Sequence, residues 1–150
     1  MPTVDQAIDE FLSQKRIAVA GVSRNAGGTH ASNGIYSRFK ERGYEVFPVN
    51  PNADEVMGDT CYHSVKDIPG GVDAVVIATN PKNSLSVAQD CHDAGIDKVW
   101  FHKNFGAGSY SQDAHDYCKE NGMTALVSCP LWYGQTSDGF HKFFGATCRV

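Results

Sequence analysis

Residues 17–39 constrain this chain more than any other stretch. An apolar run, a glycine-rich turn and an amphipathic helix follow one another there without a gap. Ile17 to Ala20 is apolar without polar alternation, as a strand covered on both faces should read. Gly21 opens a polar turn carrying Ser23, Arg24, Gly27, Gly28 and Thr29, after which Ile35, Tyr36 and Phe39 return at helical spacing. Strand, glycine-rich turn and helix form a phosphate-binding layout. Backbone N–H groups point outward at the turn, the helix dipole favours an anion, and glycine lets a ligand approach the backbone. One such anion contributes only roughly 0.3–1 kcal/mol at an exposed site. Affinity must therefore be shared, and Arg24 with the Ser23 and Thr29 hydroxyls are the candidates. A turn that merely joins a strand to a helix would look the same locally, so the rest of the chain has to decide.

The rest repeats the plan. Thr3-Val-Asp-Gln6 fits a capping box, and Val4, Ala7, Ile8, Phe11 and Leu12 share one face of an N-terminal helix. Arg42-Gly43 closes the helix after the glycine-rich turn, Tyr44 to Val49 reads as a second strand, and Asn50-Pro51-Asn52 stops it. Residues 53–72 read as loop, with a short strand near Cys61 and a turn at Ser64 to Ile68. A buried strand at Asp73 to Ala78 precedes Thr79-Asn80-Pro81, then a helix carrying Leu85, Val87, Ala88 and Cys91 and closed by Gly95. Lys98 to Phe101 is the next strand, followed by a second glycine-bearing turn from His102 to Ser109. A helix over about Ser111 to Glu120 and a strand at Thr124 to Val127 complete the series, which ends at Ser128-Cys129-Pro130. Alternating strands and helices imply an α/β fold: a doubly wound, mainly parallel sheet in three layers with right-handed crossovers. Ligands of such sheets sit beyond the carboxyl ends of the strands. Ser23-Arg24, Asn50-Pro51, Thr79-Asn80-Pro81 and His102-Lys103 all fall there, and together they predict a cleft.

Composition narrows the partners. At 150 residues the chain reads as one domain, 1–150. A net charge of −4 disfavours a nucleic-acid partner, which needs a basic footprint. No apolar run approaches the ~20 residues of a membrane span, and no secretory signal opens the sequence. The five cysteines are scattered and odd in number, as suits reduced thiols in a cytoplasmic protein. No histidine or cysteine spacing suggests a metal site.

The dinucleotide fingerprint is missing. Gly21-Val-Ser-Arg-Asn-Ala is not G-x-G-x-x-G, and the second strand ends in Asn50 instead of the acid that would hold a ribose diol. NAD is disfavoured, whereas an NADP-type oxidoreductase-like domain stays open because Arg24 could meet a phosphate.

Five motifs at strand ends carry a resemblance: Gly21-Val-Ser-Arg24, Val49-Asn-Pro51, Ala78-Thr-Asn-Pro81, Trp100-Phe-His-Lys103 and Ser128-Cys-Pro130. Over about residues 5–145 the chain resembles the stand-alone coenzyme A-binding domain proteins. These are similar in fold to the N-terminal domain of the succinyl-CoA synthetase α subunit, a Rossmann-like fold. The resemblance implies coenzyme A or an acyl-CoA as ligand. It places Val22, Ser23 and Arg24 near the pyrophosphate, Asn50 and Pro51 by the adenosine, and Thr79, Asn80 and Pro81 along the pantetheine route. Gly21, Gly28 and Thr29 of the first turn and Asn52 of the second are candidates beside them. The ligase subunit has a lysine shortly after its second strand, where this chain has Asn52, Ala53 and Asp54. Its second domain, with a phosphorylated histidine, has no counterpart here, so ligase chemistry by this chain alone is not expected.

His102, Lys103 and Cys129 are the titratable side chains expected at strand ends. Lys103 would supply a cation to a phosphate or thioester oxygen. Cys129 is either a buried structural thiol or one facing the ligand, and no spacing in the sequence assigns a catalytic role. Leu131 to Val150 is aromatic-rich, with a short helix expected around Ser137 to Phe144. This tail suits packing over the sheet edge, a homodimer contact or a lid. The reading is a coenzyme A-binding module, with the NADP-type domain or an interaction protein using the tail as alternatives.

Overall fold

The computed structural model describes residues 3–23, 31–103 and 108–133 of the chain. Helix α1 (Val4–Leu12) starts from Thr3, whose side chain accepts from the Gln6 N–H while Gln6 reaches back to the Thr3 N–H. This is the capping box expected from the sequence. Strand β1 (Arg16–Ala20), helix α2 (Ala31–Glu41) and strand β2 (Glu45–Val49) follow. Two short strands, β3 (Glu55–Val56) and β4 (Asp59–Thr60), pair antiparallel. Strand β5 (Ala74–Ile77), helix α3 (Pro81–Asp93), strand β6 (Lys98–His102), helix α4 (Gln112–Glu120) and strand β7 (Thr124–Ser128) then alternate.

The main sheet runs β2-β1-β5-β6-β7, and every pairing in it is parallel. The α/β, Rossmann-like arrangement expected from the alternation is therefore the one observed. Its core shows why the strands read as continuous apolar runs. Ile17, Val19, Ala74, Val76, Trp100 and Leu126 face α1 and α2, whereas Ala18, Ala20, Val75, Ile77, Phe101 and Val127 face α3 and α4. The inner strands bury both sides, so their central residues are apolar at either parity. The N-terminal helix covers the first face, where the Phe11 ring meets Trp100 edge-on at 5.1 Å. Arg16 closes the opposite, amino-terminal edge: its guanidinium donates to Gly71 O at 2.9 Å and Pro69 O at 2.7 Å, and pairs with Glu45. The carboxyl edge is left for a ligand.

Within residues 53–72 the structure adds the β3–β4 hairpin, turned at Met57 (φ 53°) and Gly58 (φ 82°), and the turn expected at Ser64 to Ile68 is a 3-10 turn at Val65–Asp67. The short strand expected near Cys61 is β4, and just beyond it Val49 and Tyr62 form a single parallel bridge. Two-residue strands have no periodicity to read, which is why the sequence concealed the hairpin. The expected helix around 137–144 lies outside the described residues.

Candidate functional site

The chain leaves β1 for β2 on one side and returns to β5 on the other, so the direction of winding switches between β1 and β5. Such a switch opens a crevice at the carboxyl edge. Gly21 stands at that point. Its N–H donates to Val49 O at 2.9 Å, and a Cβ added to it would lie 2.5 Å from Ala78 O. With φ at 99°, the position takes glycine on both conformational and steric grounds. Two asparagines fix the chain beyond it. Asn50 Nδ2 donates to Val22 O at 2.7 Å, and its Oδ1 accepts from the Asn52 N–H at 2.8 Å. Asn33, in the first turns of α2, accepts from the Ser23 N–H at 2.7 Å and donates to Ser23 O at 3.1 Å. The turns after β1 and β2 are thus one hydrogen-bonded unit.

A cavity of about 860 Å³ runs along this edge. Asn50, Pro51, Asn52, His63 and Ser64 line its β2 side, Gly21, Thr79 and Asn80 its middle, and His102, Gly108 and Ser109 the β6 side. Asn83, Ser86 and Asp90 of α3 form another wall. Asn80 caps α3, accepting from the Lys82 N–H at 3.2 Å, and Pro81 takes the first helical position. Three hydroxyls are spent on structure. Thr79 and Ser84 share a hydrogen bond of 3.0 Å, Ser84 donates to Ser109 O at 2.6 Å, and the Ser109 hydroxyl donates to Ile77 O. The Ser109 N–H also holds His102 O at 2.8 Å, and a Cβ on Gly108 would come within 2.2 Å of that same oxygen. The chain therefore folds back tightly onto the end of β6. Burial leaves His102 8% exposed and pushes its pKa below the usual histidine value. Its imidazole is accordingly neutral at neutral pH.

Gly21, Asn50, Pro51, Asn52, Thr79 and Asn80, all expected at the site, meet around this cavity. Arg24, Gly28 and Thr29 lie outside the described residues. Val22 is fully buried and offers the site only its backbone carbonyl. Lys103 holds its ammonium 5.3 Å from the Tyr110 ring centroid. Cys129, a candidate either as a buried structural thiol or as one facing the ligand, is 3% exposed and belongs to the core cluster containing Trp100 and Leu131. Sequence reasoning passed over His63, Ser64, Ser109 and the α3 wall. The α3 residues were legible: Asn83, Ser86 and Asp90 at i, i+3 and i+7 form one polar stripe. His63 and Ser64 had no such signal, because the Val49–Tyr62 bridge that brings them to the β2 end is a single long-range pair.

Hydroxyls, amides and backbone groups dominate the walls. The titratable side chains among the described lining residues are His63, Asp90 and His102, with no lysine or arginine. Asp90 is engaged by the Ser64 hydroxyl at 3.2 Å and by Lys66 at 3.4 Å. Among the described residues no three histidine, cysteine or acidic side chains converge as a metal ion would require. No helix among them is long and apolar enough to cross a membrane.

Residues 15–135 match the family described as CoA binding domain. The uncharacterized protein YneT of Bacillus subtilis is 31% identical over 121 residues, spanning 80% of this chain and 85% of its own. The ADP-forming acetate–CoA ligase II of Archaeoglobus fulgidus is 38% identical over 89 residues, which cover 58% of this chain and 13% of the ligase. A solved structure of a hypothetical protein from Pyrococcus horikoshii superposes with a TM-score of 0.75 at 28% identity, covering 85% of this chain and 86% of that one.

Proposed function

Because the chain belongs to the CoA binding domain family, we propose that it binds coenzyme A or an acyl-CoA across the carboxyl edge of its sheet, without ligase chemistry of its own. The observation that carries this reading is the cavity at the winding switch, where Gly21 lets the turn after β1 close on Ala78 and line the crevice. The pyrophosphate belongs at the turn after β1, with Arg24 as its cation. The adenosine lies on the β2 side beside Asn50, Pro51 and Asn52, and the pantetheine arm passes Thr79 and Asn80. No acid stands at the end of β2, where Asn50 instead ties down Val22, so a free ribose diol lacks its usual acceptor.

Calorimetric titration with CoA and NAD side by side tests the reading. Saturable CoA binding with NAD at least tenfold weaker is expected, and equal dissociation constants would overturn the choice of ligand. Arg24→Ala should weaken CoA binding by about 1.5–3 kcal/mol, the range for a hydrogen bond to a charged group. An unchanged affinity would remove Arg24 from the site.

A further inference from the structure

The β6 end of the cavity holds a polar side chain with no hydrogen-bond partner among the described residues. His102 is 8% exposed and lines the cavity, yet its ring makes no hydrogen bond or ion pair among the described residues. Its ring nitrogens are not sealed off from the cavity, so an uncommitted N–H stands where a ligand can meet it. The neighbouring hydroxyls of Thr79, Ser84 and Ser109 are already committed to one another and to backbone carbonyls. The His102 backbone is fixed as well, because Ser109 grips its carbonyl and Gly108 packs against it. The backbone at His102 is therefore fixed, while its ring stays uncommitted among the described residues.

Its surroundings select the chemistry. Burial disfavours the charged ring, so this end of the cavity suits an uncharged acceptor over a phosphate. The nucleoside of a ligand in a doubly wound sheet belongs at the β2 end, so the remainder must run over β5 toward β6. His102 lies two strand spacings from β1, about 10 Å across the sheet. We propose that the His102 N–H donates a hydrogen bond to the carbonyl oxygen of an acyl thioester, making this a site that prefers acyl-CoA to CoA. The inference rests on the coenzyme A reading above and adds the group recognised at the far end. A thiol is only a weak hydrogen-bond donor and acceptor, so free CoA gains little from the same imidazole.

The test compares acetyl-CoA with S-ethyl-CoA, a thioether of nearly equal size that lacks the carbonyl. Calorimetry on the intact protein should give about tenfold tighter binding of acetyl-CoA, the worth of one neutral hydrogen bond. His102→Ala should reduce that ratio to near one with little change for S-ethyl-CoA. His102→Gln, which keeps an N–H donor, should restore part of it. Equal affinities of the two ligands for the unaltered protein, or a ratio that survives in His102→Ala, would overturn the proposal while leaving coenzyme A binding intact. If His102→Ala fails to fold, His102→Phe, which fills the same space without a donor, takes its place in the comparison. Binding of none of these ligands would overturn the coenzyme A reading and this inference together.

Discussion

Gly21 and Gly43 separate two uses of the same residue. Both have positive φ, 99° and 91°, but Gly43 faces open space while a Cβ at Gly21 would meet the backbone of Ala78 and Thr79. Gly43→Ala should therefore cost about 1 kcal/mol, the conformational penalty alone. Gly21→Ala adds a clash with backbone that cannot step aside and should cost about 2 kcal/mol or more. Urea denaturation of the two variants measures the difference, and equal midpoints would mean that the switch point yields easily. His102 supplies a second residue-scale prediction. Its folded pKa lies below the ordinary 6.5 because burial opposes the charged ring. The unfolded chain then takes up a proton that the folded chain resists, and stability falls as pH drops below about 6.5 toward the folded value. His102→Gln should flatten that part of the profile relative to the unaltered protein, and superimposable profiles would refute the assignment.

The β3–β4 hairpin shows what an element gains from a few contacts. Asp59 accepts the Tyr36 hydroxyl and the Lys40 ammonium, the latter at 2.6 Å, and so fastens the hairpin to α2. The Lys40 contact, with the Tyr36 hydroxyl second, holds the Asp59 carboxyl below its usual 3.8. A depressed carboxyl contributes stability above its unfolded pKa and loses it as pH falls through the lower folded value. Its side chain is about a third exposed, so solvent screening keeps the contribution under about 1 kcal/mol. Asp59→Asn should remove that small increment at pH 7, and the variant and the unaltered protein should converge in acid once the carboxyl is protonated in both states. A constant difference across the acid range would mean that the contact acts through shape and not through charge. This element was the hardest to read in the sequence. Its strands are two residues each, and Met57, a non-glycine residue at φ 53°, gives no turn signal.

At the scale of the molecule, the order of elements was legible because parallel strands buried on both faces leave apolar runs such as Ala74 to Ile77, each bounded by turn residues. The carboxyl-edge residues Asn50, Thr79 and Asn80 were legible because strand ends in such a sheet share one edge. His63 was not, since its place depends on a single long-range bridge, and the choice between the two readings of Cys129 needed the packing around Trp100. The same topology makes a prediction about where a ligand is felt. The cavity touches the ends of β2, β5 and β6 and the first turns of α3, whereas α1 lies across the face that holds Trp100. A smaller hollow of about 270 Å³ lies between α2 and the hairpin, beside Met57. If one ligand occupies the carboxyl edge, saturating CoA should slow amide exchange at Asn50–Asn52, Thr79–Asn83 and around Ser109, because those segments close upon it. Exchange in α1 and at Met57 and Gly58 should stay as it was. Hydrogen exchange followed by peptide mass spectrometry separates these segments, and protection centred on the hairpin would move the site to the smaller hollow.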